Sequence, residues 1–250
     1  MSEVCGKVIG VISVKGGVGK TTTVSNLGVI LTREYNLSCV AVDGNISVPN
    51  LGLHLNMAAA ENTLQDVIEK KGATLLDAVH IHSSGLHVVP GSMSKTQIKP
   101  GELVAKIKTL TKKYDLVLLD SSPGAGYEPL EVIECSDGLI VLSCLDFPSV
   151  SAALKSIKLA EERGKTVLGV VLNRVRGAGD ELNIKDVKET ITIPLLGTIP
   201  EDNRVPEAIS RSMPVVLCAP NSPASKAYRQ LAANLLKTDA LKCFKGRGGV

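Results

Sequence analysis

The 250-residue chain is 44% apolar, 21% charged and 2% aromatic, lacks Trp, and carries a formal net charge of +3. That apolar content excludes a mainly disordered chain, no apolar run approaches the ~18 residues that span a bilayer, and the length suits one large α/β domain or at most two small ones. The weak charge neither requires nor excludes nucleic acid, and the scarcity of aromatics argues against a stacking platform for single strands.

In chain order, Met1–Cys5 shows neither the basic nor the apolar stretch of a signal peptide, so a cytoplasmic protein is expected. Short Val/Ile/Leu runs read as buried strands over Val8–Val14, Val40–Asp43, Leu86–Pro90, Leu116–Asp120, Leu139–Ser143, Val167–Asn173 and Leu195–Ile199. None alternates strictly, which is the pattern of strands covered on both faces. Between them, helical periodicity is found over Lys20–Tyr35, Glu102–Tyr114, Ser149–Arg163 (with Gly164 as its stop) and Ser225–Lys237. This alternation predicts a doubly wound, mostly parallel sheet of about seven strands flanked by helices. One domain is expected over residues 1–239, followed by a flexible basic tail, 240–250.

The strongest local signal is Val14-Lys15-Gly16-Gly17-Val18-Gly19-Lys20-Thr21-Thr22, which follows a strand and opens a helix. Glycines let successive N–H groups face a phosphate, and the helix N-terminus adds its positive end. Lys20 would neutralise the β and γ phosphates and the Thr21 hydroxyl would ligate Mg²⁺. The strict P-loop pattern fails, because Val14 stands where it wants glycine. The segment K-G-G-V-G-K-T-T, with its second lysine at Lys15, instead resembles the deviant Walker A motif of the ParA/MinD family of P-loop ATPases. The resemblance implies ATP or ADP as ligand and Gly16, Gly17, Val18, Gly19, Lys20, Thr21 and Thr22 as the phosphate cradle. It also implies an ATP-dependent homodimer in which Lys15 crosses to the partner's nucleotide. From the residues alone, Lys15 is an exposed loop lysine.

Two acidic segments extend the reading. Asp120 ends an apolar strand and precedes Ser121-Ser122-Pro123-Gly124, so it can hold Mg²⁺ as a Walker B acid. Pro123 and Gly124 resemble the family's D-x-x-P-G switch near the γ-phosphate. Val40-Ala41-Val42-Asp43-Gly44-Asn45 through Asn50-Leu51 resembles the MinD-type V-D-x-D-x-x-x-x-N-L segment, with Asp43 as the first acid and a further metal candidate. Asn45 stands where the family has the second acid, which helps position the attacking water. An amide can hydrogen-bond water but cannot take its proton at neutral pH. Slow or absent hydrolysis and a long-lived ATP state are therefore expected. The alternative is that Asn45 is a turn residue and Asp43 supplies the acid.

The ends of the late strands carry Asn173-Arg174 and Pro200-Glu201-Asp202, where ligands of doubly wound sheets sit. The resemblance places adenine between them, with Asn173 reading its edge. A strand-end turn for Asn173 and a helix cap for Glu201 and Asp202, before a helix over Asn203–Arg211, are the structural alternatives. His80-x-His82 shares one strand face, but no Cys or acid at metal-ligand spacing joins it. The cysteines at 5, 39, 135, 144, 218 and 243 form no C-x-x-C and read as reduced thiols.

The resemblance implies a MinD-like ATPase that positions cell-division or polar components through an unidentified regulator or cargo. It allows a peripheral membrane contact through residues 235–250, with Leu241 and Phe244 as the apolar face. A ParA-like DNA partitioner using Lys155, Lys158, Arg211 and Arg229 is the less favoured nucleic-acid alternative. A metallocluster carrier of the same fold is the third.

Overall fold

The computed structural model describes residues 6–94, 99 and 101–244. In chain order these form β1 (Lys7–Ile12), α1 (Lys20–Arg33), β2 (Cys39–Gly44), α2 (Leu51–His54), α3 (Leu64–Glu69), β3 (His80–Ile81), β4 (His87–Val89), α4 (Glu102–Thr111) and β5 (Leu116–Ser121). Then come α5 (Tyr127–Cys135), β6 (Gly138–Ser143), α6 (Phe147–Glu161), β7 (Val167–Val175), α7 (Ile184–Thr190), β8 (Leu195–Pro200), α8 (Arg204–Ser210), α9 (Val215–Cys218) and α10 (Pro223–Leu235). The sheet order is β3-β4-β2-β5-β1-β6-β7-β8, parallel except where β3 meets β4.

The strands are apolar throughout because both faces are covered. Successive side chains point to opposite faces. In β5, Leu116 and Leu118 join the cluster under α1 and α10, whereas Val117 and Leu119 join the one under α3 to α7. Ile9 and Val11 of β1 divide from Val8 and Ile12 in the same way. Helix starts are locally encoded: the Asp146 carboxylate caps α6 at Ser149 N–H, and Ser222 caps α10 ahead of Pro223.

Three features depart from the expectations. Eight strands are present rather than about seven, because the His80–Ile81 edge strand is too short to show a period. Helix α5 begins three residues after Gly124, and its Pro129 lies in the first turn, where a missing N–H costs nothing. The tail is not free from residue 240. Leu241 and Phe244 are buried in the cluster that holds Leu235 and Leu236, and a single 3₁₀ turn spans Lys242–Phe244. The rest of the expected tail, 245–250, lies outside the described residues. No helix among the described residues is long and apolar enough to cross a membrane.

Candidate functional site

β1 occupies the middle of the sheet, with β5 on one side and β6 on the other. The chain leaves it at Ile12 and turns through Gly16–Gly19 into α1. Gly17 and Gly19 have φ of 75° and 95°, in the left-handed region that favours glycine. A Cβ at Gly19 would also collide with the Asn173 amide. The turn leaves the first N–H groups of the 14-residue α1 available to an anion.

Lys20 is 7% exposed, and its Nζ donates to the Lys15 carbonyl at 3.3 Å. Burial holds its ammonium below the usual lysine range, and the Asp120 charge opposes this. Thr21 Oγ1 donates to Asp120 Oδ2 at 2.6 Å. The other oxygen, Asp120 Oδ1, is buried without a hydrogen-bond partner. A buried carboxylate oxygen left unpaired is costly in a finished structure. Beside a threonine hydroxyl it is half of a hard-oxygen donor set, which fits Mg²⁺. Thr21 and Asp120 would hold that ion.

The β2–β5 register sets Asp43 directly opposite Asp120. Asp43 Oδ2 accepts from Leu51 N–H at 2.8 Å and Oδ1 from Asn45 N–H at 3.2 Å, so both of its oxygens are turned to its own loop. Burial, and for Asp43 the facing Asp120 charge, push the carboxyls up, Asp43 to about 8 and Asp120 to about 6. Hydrogen bonds from Leu51, Asn45 and Asn50 N–H oppose this at Asp43. The Thr21 hydroxyl, Lys20 and Ser121 N–H oppose it at Asp120. A pair of buried carboxyls that resists ionising is a site that a divalent cation would relieve.

Asn45 is a turn residue here. Its Nδ2 donates to the Val48 carbonyl, and its Oδ1 accepts from Val48 N–H at 3.3 Å. Lys15 folds back within its own chain, donating to Asp146 Oδ1 at 2.9 Å and Ser149 Oγ at 2.7 Å.

A cavity of about 930 Å³ opens on the phosphate side. Of the expected site residues, Gly16, Gly17, Gly19, Lys20, Thr21, Thr22, Asn45 and Pro123 line it. Gly124 instead anchors its loop, donating from N–H to the Val14 carbonyl at 2.8 Å. The base-end residues do not line this cavity. Asn173 Nδ2 donates to the Val18 carbonyl at 2.7 Å and so props up the phosphate loop from below. Arg174, at φ 59°, pairs with Glu201 at 2.9 Å. Glu201 N–H returns to the Val175 carbonyl. Asp202, one residue before the α8 N-cap Asn203, accepts from Arg204 N–H and also from Ala224 N–H.

Two contributors escaped the sequence reading. Glu128, on the first turn of α5, lines the cavity and bonds the Ile46–Ser47 segment. The Asp146/Ser149 pair seats Lys15, and its signal was the D-x-x-S cap signature. Of the cations expected to face DNA, Lys158 pairs with Glu162, Arg211 with Glu207 and Arg229 with Glu34. Cys39, Cys135, Cys144, Cys218 and Cys243 are all free, and no cluster of three metal-ligating residues occurs among the described residues.

A model of the CobQ/CobB/MinD/ParA nucleotide-binding domain matches residues 9–215. An uncharacterised ATP-binding protein of Methanocaldococcus jannaschii is 33% identical over 231 residues, covering 91% of this chain and 87% of that protein. The septum site-determining protein MinD of Thermotoga maritima is 30% identical over 260 residues, covering 96% and 94%. Among solved structures, MinD of Pyrococcus horikoshii complexed with Mg-ADP superposes with a TM-score of 0.85 at 28% identity, covering 92% and 96%.

Proposed function

Because the chain belongs to the CobQ/CobB/MinD/ParA nucleotide-binding family, on its MinD-like side, we propose that it is an ATP-driven switch. It binds ATP with Mg²⁺, pairs with a second copy, hydrolyses ATP slowly and returns to monomers. The observation that carries this reading is that Lys20 and Thr21 line one cavity while Thr21 is bonded to the buried Asp120, whose Oδ1 is unpartnered.

Each residue has a role that its position supports. The N–H groups of Gly16–Thr22 face the phosphates, and Lys20 neutralises them. Its lowered proton affinity means the ammonium gains stability when an anion arrives. Thr21 and Asp120 hold Mg²⁺, which neutralises phosphate charge when bound. Asp43 keeps the 45–51 loop in place through two N–H bonds. Pro123 and Gly124 carry the segment that senses the γ-phosphate. At the base end, Asn173 keeps its bond to Val18 and offers its carbonyl oxygen to the adenine amino group, while Arg174, Pro200, Glu201 and Asp202 frame the ring.

Lys15 leaves Asp146 and Ser149 when two copies meet and reaches the partner's nucleotide. The output is placement of a cell-division or polar component through a protein regulator or cargo. Membrane contact through 235–250 requires Leu241 and Phe244 to leave the core, so a protein partner is the first reading. DNA is less supported, since three of the four candidate cations already have carboxylate partners.

Light scattering in Mg-ATP and in Mg-ADP tests the switch. A doubled mass with ATP alone, lost in Lys15→Ala, is the expected result. A monomer under both conditions with ATP demonstrably bound would exclude autonomous dimerisation.

A further inference from the structure

Asn45 places an amide, not a carboxylate, on the lining of this cavity. Its amide is also committed: both its nitrogen and its oxygen are bonded to Val48, closing the 45–48 turn. Asp43 is no substitute, because its two oxygens accept N–H groups of its own loop behind the cavity wall. Among the described residues lining the cavity, one carries a carboxylate. It is Glu128, the second residue of α5.

Glu128 is placed by two independent anchors. Its helix starts directly after the Ser122–Gly126 segment that leads away from Asp120. Its carboxylate is joined to the Asn45 turn, with Oε2 accepting from Ile46 N–H at 3.2 Å and Oε1 from the Ser47 hydroxyl. The acid is therefore bonded to the residue after Asn45 and lines the same cavity as Gly16, Lys20, Ser122 and Pro123. Each carboxylate oxygen can accept more than one hydrogen bond. Glu128 thus keeps acceptor capacity toward the cavity that the phosphate loop also lines while its bonds to the turn persist.

We propose that Glu128 supplies the carboxylate that Asn45 lacks and acts as general base for the slow hydrolysis. The proposal rests on the ATP-switch reading. As the water oxygen bonds to the γ-phosphorus, its O–H bond breaks and the proton passes to Glu128. The bond from the γ-phosphorus to the β–γ bridging oxygen breaks, and its electron pair leaves on ADP. Glu128 then returns the proton to the released phosphate or to solvent. Glu128 also couples the chemistry to the switch, because the helix that carries it continues the segment after Asp120 and its carboxylate holds the turn at Asn45.

The test compares full-length wild type with Glu128→Gln. The amide of Glu128→Gln keeps the shape and can still accept from Ile46 N–H, but takes no proton. A single positioned base contributes about 10²–10⁴-fold. The expected result for Glu128→Gln is single-turnover hydrolysis slowed about 100-fold or more. Its affinity for a non-hydrolysable ATP analogue should stay within about twofold of wild type. Its ATP dimer, followed by solution mass, should outlive the wild-type dimer in proportion.

Hydrolysis by Glu128→Gln within about threefold of wild type would overturn the proposal. So would a loss of analogue affinity matching the loss of rate, which is the signature of a loop tether. Wild type that binds ATP and dimerises without hydrolysing would overturn this proposal and leave the switch standing. Failure to bind ATP at all would remove both.

Discussion

The two ends of the candidate site, the phosphate loop and the proposed base end, are built differently. At the phosphate end the working groups are backbone N–H groups and short side chains at strand ends, fixed by the sheet before any ligand arrives. Gly17, Gly19, Thr21 and Asp120 already stand in a donor–acceptor arrangement with one oxygen left over. At the base end the candidates are longer side chains that already have partners: Arg174 pairs with Glu201, and Asp202 accepts from Arg204 N–H. The phosphate end stores unfavourable electrostatics that a ligand relieves, whereas the base end is at rest without one.

The largest expected effect breaks the phosphate end. Asp120→Asn should weaken Mg²⁺-nucleotide binding by about 10–100-fold, the scale on which disturbing the groups around a metal site lowers its affinity. The same change removes a buried charge facing Asp43, so the melting temperature of the ligand-free protein should not fall. A nucleotide titration with a fluorescent ADP analogue and a thermal melt check the two halves, and a fall in both would show that Asp120 is structural.

Gly19→Ala comes next. The left-handed backbone there costs a non-glycine residue about 1–2 kcal/mol, and the added Cβ meets the Asn173 amide. Destabilisation of about 2–3 kcal/mol by urea unfolding is expected, accompanied by weaker nucleotide binding. Because Asn173 holds Val18 from below, this one substitution reports on both ends.

The carboxyl pair makes stability depend on pH. Asp43 and Asp120 both have folded-state values above those of the unfolded chain. Their contribution is therefore fully present below about pH 4 and is lost as pH rises through about 6 and 8. Ligand-free protein should lose stability across that window, and Asp43→Asn should flatten the loss. Mg²⁺ with ADP should flatten it too, by making the charged form of Asp120 favourable. Unfolding midpoints in urea from about pH 5 to about pH 8.5 measure this directly.

The smallest effect belongs to the base end. The Arg174 and Glu201 side chains are 58% and 36% exposed, so their ion pair is screened by solvent. Glu201→Gln should change stability by less than about 1 kcal/mol. A larger loss by thermal melt would mean that the base end is as preorganised as the phosphate end.

Much of this was legible from local chemistry. The glycine-lysine-threonine segment, the apolar run ending in Asp120 and the Val-Ala-Val-Asp run at Asp43 each encode an element and where it ends. Short or glycine-led elements were not legible: β3 is two residues long, and α5 hides behind Gly124–Gly126 and Pro129. Partnerships across the chain were beyond reach. Nothing near Lys15 announces Asp146, and nothing near Asn45 announces Glu128. The burial of Leu241 and Phe244 was missed for the same reason, because glycines nearby argue for a loose end while the surface that covers them lies on other elements.

The amino-acid sequence by itself determined the architecture and the glycine turn that opens α1, because strand burial, turn glycines and helix starts depend on neighbours within a few residues. The tertiary structure decided which groups are spent and which are spare. Sheet register put Asp43 against Asp120, loop closure used up the Asn45 amide, and helix placement brought Glu128 to the wall. Those outcomes depend on distances between residues far apart in the chain, and only the packed sheet sets them.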